Sequence, residues 1–551
     1  MGSLLMDECG MPSRRADRHG MSLHASLPLL LSRSCHLGDS PCGSRTPASA
    51  LSSTKPAAWP LAYASGDASL SAESTHNRVL GRGLLFAFAL PAIMQGFTHA
   101  PEAMVQGIYA KHAGVSLEAL ATALLLTRLF DGLTYPLIGY LSDRTARRTG
   151  SRKPWIVVGT VVTVTGLWFL YRPPQAVTSG WFLCWFMVTY LGWKLTEIPY
   201  SAWSVALSSD YVQRSRIQVW RGLAMLIGSF VFYLVPYMAK ALGLSDTTEL
   251  NLQNMALVGV VVLVLVPAMN LYSLWCVPDG ELPPPPPVAA AESWRNSWRV
   301  VWHAVARNKP MIHFLAAFVP ATFLAGMATG ASYLLIDSYL GLGKQLPGIM
   351  LVAIPLSVIS VPFWGWLGTR YERHHTWSVA LGAMSLSYAC LALLPRGEAG
   401  HTPLIVIYAA VVFCLTSIMV IAPAMVGDIA DHGRLQSGED RAGIYIAIIA
   451  FVTKSLGGVA AALALALVGW FGFDAKATEQ TASGTFGIKL VSIYLPALGL
   501  GIASLLIWGF PITRRQQEAT AAALRERDAR NAAAATATAQ GTTTGTTAGN
   551  S

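Results

Sequence analysis

Asp131 stands inside an apolar run, LLLTRLFDGLTYPLIGYL, which ends at Asp143 in a burst of charge: Arg144, Arg147, Arg148, Arg152 and Lys153. A charged side chain at the centre of a bilayer costs roughly 2.5–3.5 kcal/mol on insertion scales. A carboxylate there is therefore protonated, paired or bound to a cation, and each of these states can respond to H⁺ or a small cation. Lys194 and Glu197 lie three residues apart on one face of another apolar run, where they can satisfy each other. Lys454 lies deep in a third run, too far from its ends to be a simple interfacial anchor, and His99 and Glu102 flank Pro101 in the first. This chemistry is reversible binding of a cation and a polar solute. The sequence holds no zinc-type histidine cluster, no GxSxG and no GxxxxGK phosphate loop, so no enzyme and no cofactor is expected. Without an ATPase motif, transport would be driven by a gradient.

Composition agrees with a membrane setting. Of 551 residues 53% are hydrophobic and 12% charged, against about 25% charged in soluble domains. The net charge of +10 comes largely from short loops beside apolar spans, which reads as a topology signal and excludes nucleic acid as a partner. Four of the seven cysteines (184, 276, 390, 414) lie inside spans as small hydrophobes, and the other three have no metal-type spacing.

Twelve spans are long enough for a ~30 Å core, near 83–110, 117–142, 154–172, 181–208, 218–242, 255–277, 310–339, 346–369, 376–395, 403–430, 443–471 and 487–512. The expected organisation is a disordered tail over 1–77, a six-helix half over 78–277, a polar linker over 278–309, a second half over 310–512, and a disordered tail over 513–551 that begins helical. Bases crowd the loops after spans two, four, six, eight and ten, while each opposite loop holds roughly one, such as Lys111 or Lys344. The positive-inside rule then puts both termini in the cytoplasm of a plasma-membrane protein. YPLIGYLSDR (135–144) and VPFWGWLGTR (361–370) close the second helix of each half alike. The fold class is therefore an all-α membrane protein of two six-helix pseudo-repeats, the layout of a transporter with its site at the repeat interface. Asp143, Arg144, Arg370, Asp428, Asp431 and Arg441 are expected to form a cytoplasmic gate that breaks and reforms as the halves rock.

Four ordered stretches carry a resemblance: DGLTYPLIGYLSDRTARRTGSRKPW (131–155), EIPYSAWSVALSSDYVQRSRIQVWRG (197–222), GDIADHGRLQSGEDRAG (427–443) and FVTKSLGGVAAA (451–462). Together they resemble the glycoside–pentoside–hexuronide:cation symporters of the major facilitator superfamily, to which melibiose permease belongs. The resemblance implies a twelve-helix major facilitator fold and symport of a sugar or glycoside with H⁺ or Na⁺. It implies that Asp131 and Glu197 take the cation with Lys454 as the competing internal charge. It also implies that Glu197 and Arg221 bind substrate hydroxyls, with Tyr200 or Trp203 beneath a sugar ring. Two departures stand out. Tyr135 occupies the place of a second acid on the Asp131 face, which leaves a metal-like site short of oxygens and favours a proton slightly. Gln95 falls near a helix 1 acid that is absent, with Glu102 as a displaced substitute.

Two other readings remain open. A lysolipid or other amphiphile could replace the sugar in the same fold, or the chain could be a transporter-like sensor that binds without translocating. A monomer working with a small solute in the lipid bilayer is the simplest expectation.

Overall fold

The computed structural model describes residues 80–280 and 301–545, apart from 209, 304, 440 and 478. The expected tail over 1–77 and most of the central linker lie outside them. The described residues are helical throughout their regular structure. The first half holds α1 (Arg82–His99), α2 (Leu117–Thr149), α3 (Lys153–Tyr171), α4 (Ser179–Ala206), α5 (Tyr211–Ala241) and α6 (Leu252–Cys276). The second holds α7 (Lys309–Tyr339), α8 (Leu346–Arg370), α9 (Arg373–Leu391), α10 (His401–Ser437), α11 (Ala442–Trp470) and α12 (Ala482–Trp508). Eight of these helices are long and apolar enough on their own to cross a membrane; others, α2 among them, carry the charged residues that the site needs. Large apolar side chains such as Leu129, Val264 and Leu505 remain exposed on the outer surface, where lipid would cover them.

Local chemistry sets the helix ends. Asp210 accepts from Gln213 N (2.8 Å) and Asn251 from Asn254 N (2.9 Å), capping α5 and α6. Gly150 and Gly438 end α2 and α10 with left-handed φ of 76° and 78°, conformations in which a Cβ would clash. The two halves repeat one another in space. Pairs α1·α5, α3·α4 and α3·α6 recur as α7·α11, α9·α10 and α9·α12. Within the first half the helices approach to backbone contact. A Cβ on Gly96 would overlap Met225 O, one on Gly228 would overlap Ile93 O, and one on Gly192 would press on Thr163. Small residues permit such spacing, which drives helix association where no hydrophobic effect operates.

Two elements differ from expectation. The first span is not continuous: α1 stops at His99, the chain turns through Ala100–Met104, and helix resumes as Val105–Ile108 and a π turn, Tyr109–Ala113. Pro101 has no N–H to continue the ladder, so the break follows from its chemistry. The C-terminal segment is helical over Arg514–Gly545 (α13), far beyond the short helical start that low complexity suggests. Alanine has the highest helix propensity, Arg514–Glu518 and Glu526–Arg530 pair across a turn, and Asp528 meets Arg434 at 3.0 Å to dock the helix on α10.

The halves are latched at the end opposite the basic loops. Lys111 Nζ reaches Glu249 at 2.8 Å in its own half and Asp337 at 2.7 Å on α7 of the other. Thr248 donates to Lys344 O (2.7 Å) and Tyr333 to Leu250 O (3.2 Å), both across the seam. A Cβ on Gly348 of α8 would press on the Tyr237 hydroxyl of α5. At the basic-loop end the ion pairs instead stay within one half. Asp143 binds Arg152 (2.8 Å), Asp428 binds Arg373, and Arg441 binds Glu439 (2.6 Å). Arg144 is exposed, Arg370 lies over Trp366, and Asp431 is half-buried. The six residues expected to gate this end thus form no ion pair between the halves among the described residues.

The hydrogen bond from His112, with Lys111 beside it, pulls Glu249 from 4.5 down to about 2 against the effect of partial burial. A depressed carboxylate stabilises the fold fully above its ordinary value and loses that contribution as pH falls through the native one. Thermal melts should therefore show a stability loss between pH 4.5 and about 2, and Glu249→Gln should lower the melting midpoint at neutral pH while flattening that acid limb. An unchanged acid limb would show that Glu249 does not bear on the latch.

Candidate functional site

Midway along the seam, three helices bring together charges that the sequence scatters over more than 350 positions. Arg128 of α2 binds Glu102 at 2.8 Å, and its other terminal nitrogen lies 3.6 Å from Asp131. Tyr190 of α4 donates to the same Glu102 carboxylate. Lys194 sits 3.9 Å from Asp131 and 3.3 Å from Glu197. Lys454, from α11 of the other half, closes the chain at 3.3 Å from Glu197 and 3.1 Å from the Tyr135 hydroxyl, with its ammonium 4.8 Å above that ring. Three bases and three acids so form one connected, charge-balanced network. The spacing on α4 works as expected, since residues three apart share a face. The break after His99 is what swings Glu102 in towards Arg128.

Some groups are left with spare capacity. Oδ1 of Asp131 and Nε of Arg128 are buried without a hydrogen-bond partner. Lys454 is only loosely held: its side chain is 56% exposed while that of Glu197 is 22% exposed. Lys454 rides on a π turn, Val452–Leu456, inside α11. Such single-turn inserts occur frequently at functional sites. Lys111 and Asp337 of the latch also lie in π turns.

The network opens on a cavity of about 370 Å³. His99, Glu102, Gln106 and Arg128 line one side of it; on the other, between Thr329, Thr453 and Lys454, stands a glycine shelf of Gly326, Gly330, Gly457 and Gly458. The His99 ring stacks on Trp193 at 4.1 Å and bonds Gln95 O at 2.8 Å.

Several expected contacts lie elsewhere. Tyr200 and Trp203 are fully buried in a separate core cluster around Phe88, donating to Phe88 O (2.6 Å) and Pro278 O (2.8 Å). Their rings pack the bundle and do not face the cavity. Arg221 lies over Tyr200 and donates to Ser201 (2.8 Å), outside the network. Gln95 is buried beside His99 rather than lining the large cavity. Conversely, Tyr190, Asp337 and Glu249 join the site and the latch without being singled out by motif or spacing. Asp337 is visible as a lone acid in the apolar run SYLLIDSYL, the same signal that marks Asp131.

The profile of the MFS/sugar transport protein family matches residues 87–514. The chain belongs to that family. Its major facilitator fold is seen again in solved structures: the nucleoside transporter NupG aligns over 78% of this chain and 98% of its own with TM-score 0.51 and 15% identity. The xylose transporter XylE from E. coli, in an inward-open conformation, covers 79% of this chain and 99% of its own with TM-score 0.51 and 12% identity. These likenesses concern the fold alone. Among sequence relatives, the sodium-dependent lysophosphatidylcholine symporter 1-B of Danio rerio is 22% identical over 73% of this chain and 82% of its own. The uncharacterized symporter YjmB of Bacillus subtilis is 21% identical over 78% of this chain and 88% of its own. The chain is thus an integral membrane transporter-family protein, whose relatives are symporters.

Arg128 is held in place by an absence. A Cβ on Gly458 of α11 would overlap its Nε and Cδ. Gly458→Ala should therefore destabilise the protein by ~1–3 kcal/mol through overpacking. In a double-mutant cycle, Arg128→Ala should remove much of that cost, because the space returns. Strictly additive shifts in melting midpoint would show that the two residues do not meet.

Proposed function

We propose that this protein is a secondary active transporter that symports a sugar or glycoside with a cation by alternating access. The observation that carries the reading is Lys454 of one half resting 3.3 Å from Glu197 of the other, in a network whose internal bases occupy its acids. A cation arriving at Asp131 or Glu197 competes with Lys194 and Lys454 for the same oxygens. Because Lys454 belongs to the opposite half, that competition alters the bond between the halves. Coupling needs such a link between ion binding and a two-state element. The basic loops belong in the cytoplasm under the positive-inside rule, so the latched end faces outward and this conformation is open inward.

Sodium is the favoured ion. The loss of an acid at Tyr135 argues for a proton, but Asp131 keeps an oxygen free, and the lysophosphatidylcholine relatives are named as sodium-dependent. A sugar fits the cavity's size, about 370 Å³, within the usual range for small-molecule sites. Its hydroxyls would meet Glu102, Arg128 and Gln106, and its apolar face would lie on the glycine shelf. Resemblance to the melibiose-permease group supports this substrate class, and Tyr200, Trp203 and Arg221 leave the substrate list in favour of Glu102, Arg128 and His99. A lysolipid is the second reading, favoured by those same relatives and by the apolar shelf, along which a chain could run while the head group meets the charges.

The test is uptake by the protein in vesicles, offered labelled glycosides and a labelled lysolipid under a Na⁺ gradient or a pH gradient imposed separately. Na⁺-driven accumulation of a glycoside is expected. Asp131→Asn or Glu197→Gln each removes charge-assisted contacts worth ~1.5–3 kcal/mol, so uptake should fall roughly tenfold or more. Uptake of the lysolipid alone would transfer the assignment to the second reading, and binding without uptake under either gradient would make the chain a sensor.

A further inference from the structure

Behind His99, at the meeting of α1, α3, α4 and α6, lies a second cavity of about 20 Å³. It adjoins the transport site proposed above through His99, which lines both cavities. Gln95, Thr163, Trp193 and Asn270 line it, and each contributes one buried polar atom with no hydrogen-bond partner: Gln95 Nε2, Thr163 Oγ1, Trp193 Nε1 and Asn270 Oδ1. The four atoms come from four different helices. Buried polar groups are rarely left unpaired, and four orphans around one void call for a common ligand.

We propose that this chamber holds one tightly bound water molecule that joins the four helices of the first half. The size decides first: a void needs roughly 10–15 Å³ to admit a water, so the chamber has room for one and is far too small for a sugar or a head group. The donor set decides next. Gln95 Nε2 and Trp193 Nε1 are donors, while Asn270 Oδ1 is an acceptor and the Thr163 hydroxyl can accept. Two donors repel a metal cation, and an acceptor repels an anion. A water accepts two hydrogen bonds and donates two, so it alone satisfies all four atoms. The Asn270 orientation is fixed independently. Its Nδ2 donates to Thr160 Oγ1 at 2.8 Å, and that hydroxyl in turn donates to Ile156 O at 2.7 Å, which leaves Oδ1 facing the void.

The surroundings hold the chamber open. Thr163 is pinned against Gly192, where a Cβ would press on its backbone N and its Oγ1, so its side chain cannot withdraw. Pro91 of α1 forms part of the wall. Through Trp193, which stacks on His99, the water also helps position a ring that lines the large cavity.

The experiment is radiolytic labelling of the full chain in nanodiscs in H₂¹⁸O, with mass spectrometry at single residues. Hydroxyl radicals born on a bound water mark the side chain beside it even when bulk solvent cannot reach it. Trp193 should take up ¹⁸O well above Phe182, which is also buried but lines no such cavity. That label should be lost in Asn270→Leu, which fills the void and removes an acceptor, and in Thr163→Val, which removes the hydroxyl at nearly constant volume. Labelling of Trp193 no greater than that of Phe182, or labelling unchanged in either variant when it elutes as a folded single species, overturns the proposal.

Discussion

Everything in the middle of this protein depends on a charge balance. Arg128, Lys194 and Lys454 face Glu102, Asp131 and Glu197 at membrane depth, connected pair by pair. Removing one member strands a partner in low dielectric, which costs several kcal/mol where the pair itself adds little net stability. Such a network is poor glue and a good sensor. It stays neutral only while its membership is constant, so any charge that enters must displace one already present. Five members belong to the first half, and only Lys454 arrives from the second. The seam between the halves therefore carries one exchangeable charge, Lys454, at its centre.

Packing divides the labour around that charge. Within the first half, Gly96, Gly192 and Gly228 let α1 touch α5 and α3 touch α4 backbone to backbone. Across the seam, glycine serves a different end. Gly458 clears room for the Arg128 guanidinium, and the glycine-lined face of α7 and α11 forms the cavity wall opposite the charges. Most of the charged groups thus sit on one half, and the other offers a glycine shelf set between Thr329, Thr453 and Lys454. A solute held there touches both.

Much of this was legible in the sequence because the membrane makes polarity expensive. Asp131, Glu197 and Lys454 were conspicuous as charges in apolar runs, and they do meet. The helix count and repeat followed from hydropathy and from Pro–Gly spacing. What failed to show was anything that depended on direction. Tyr200 and Trp203 lie within two turns of Glu197, yet they face a core cluster around Phe88; Tyr200 stands three residues from Glu197, the same spacing that joins Lys194 to Glu197, so spacing alone does not assign the face. Lys111 looked like a lone loop base, because its partner Asp337 lies more than 220 residues away. The break at Pro101 was foreseeable from proline chemistry, but its effect, turning Glu102 inward, depends on Arg128 and Tyr190 arriving from other helices.

Among the described residues, Lys111, Asp337 and Lys454, three of the four partners in the ion pairs that join the halves, stand in π turns, and Glu197 is the fourth. A π turn accommodates one residue more than an α-helical turn, and each residue of an α-helix advances the side-chain direction by about 100°. Gain or loss of a single codon there would re-aim a charge while the tightly packed stretches on either side kept their faces. Contacts that govern which conformation is favoured are thereby placed where heredity can adjust them cheaply, and contacts that hold each bundle together are placed where it cannot.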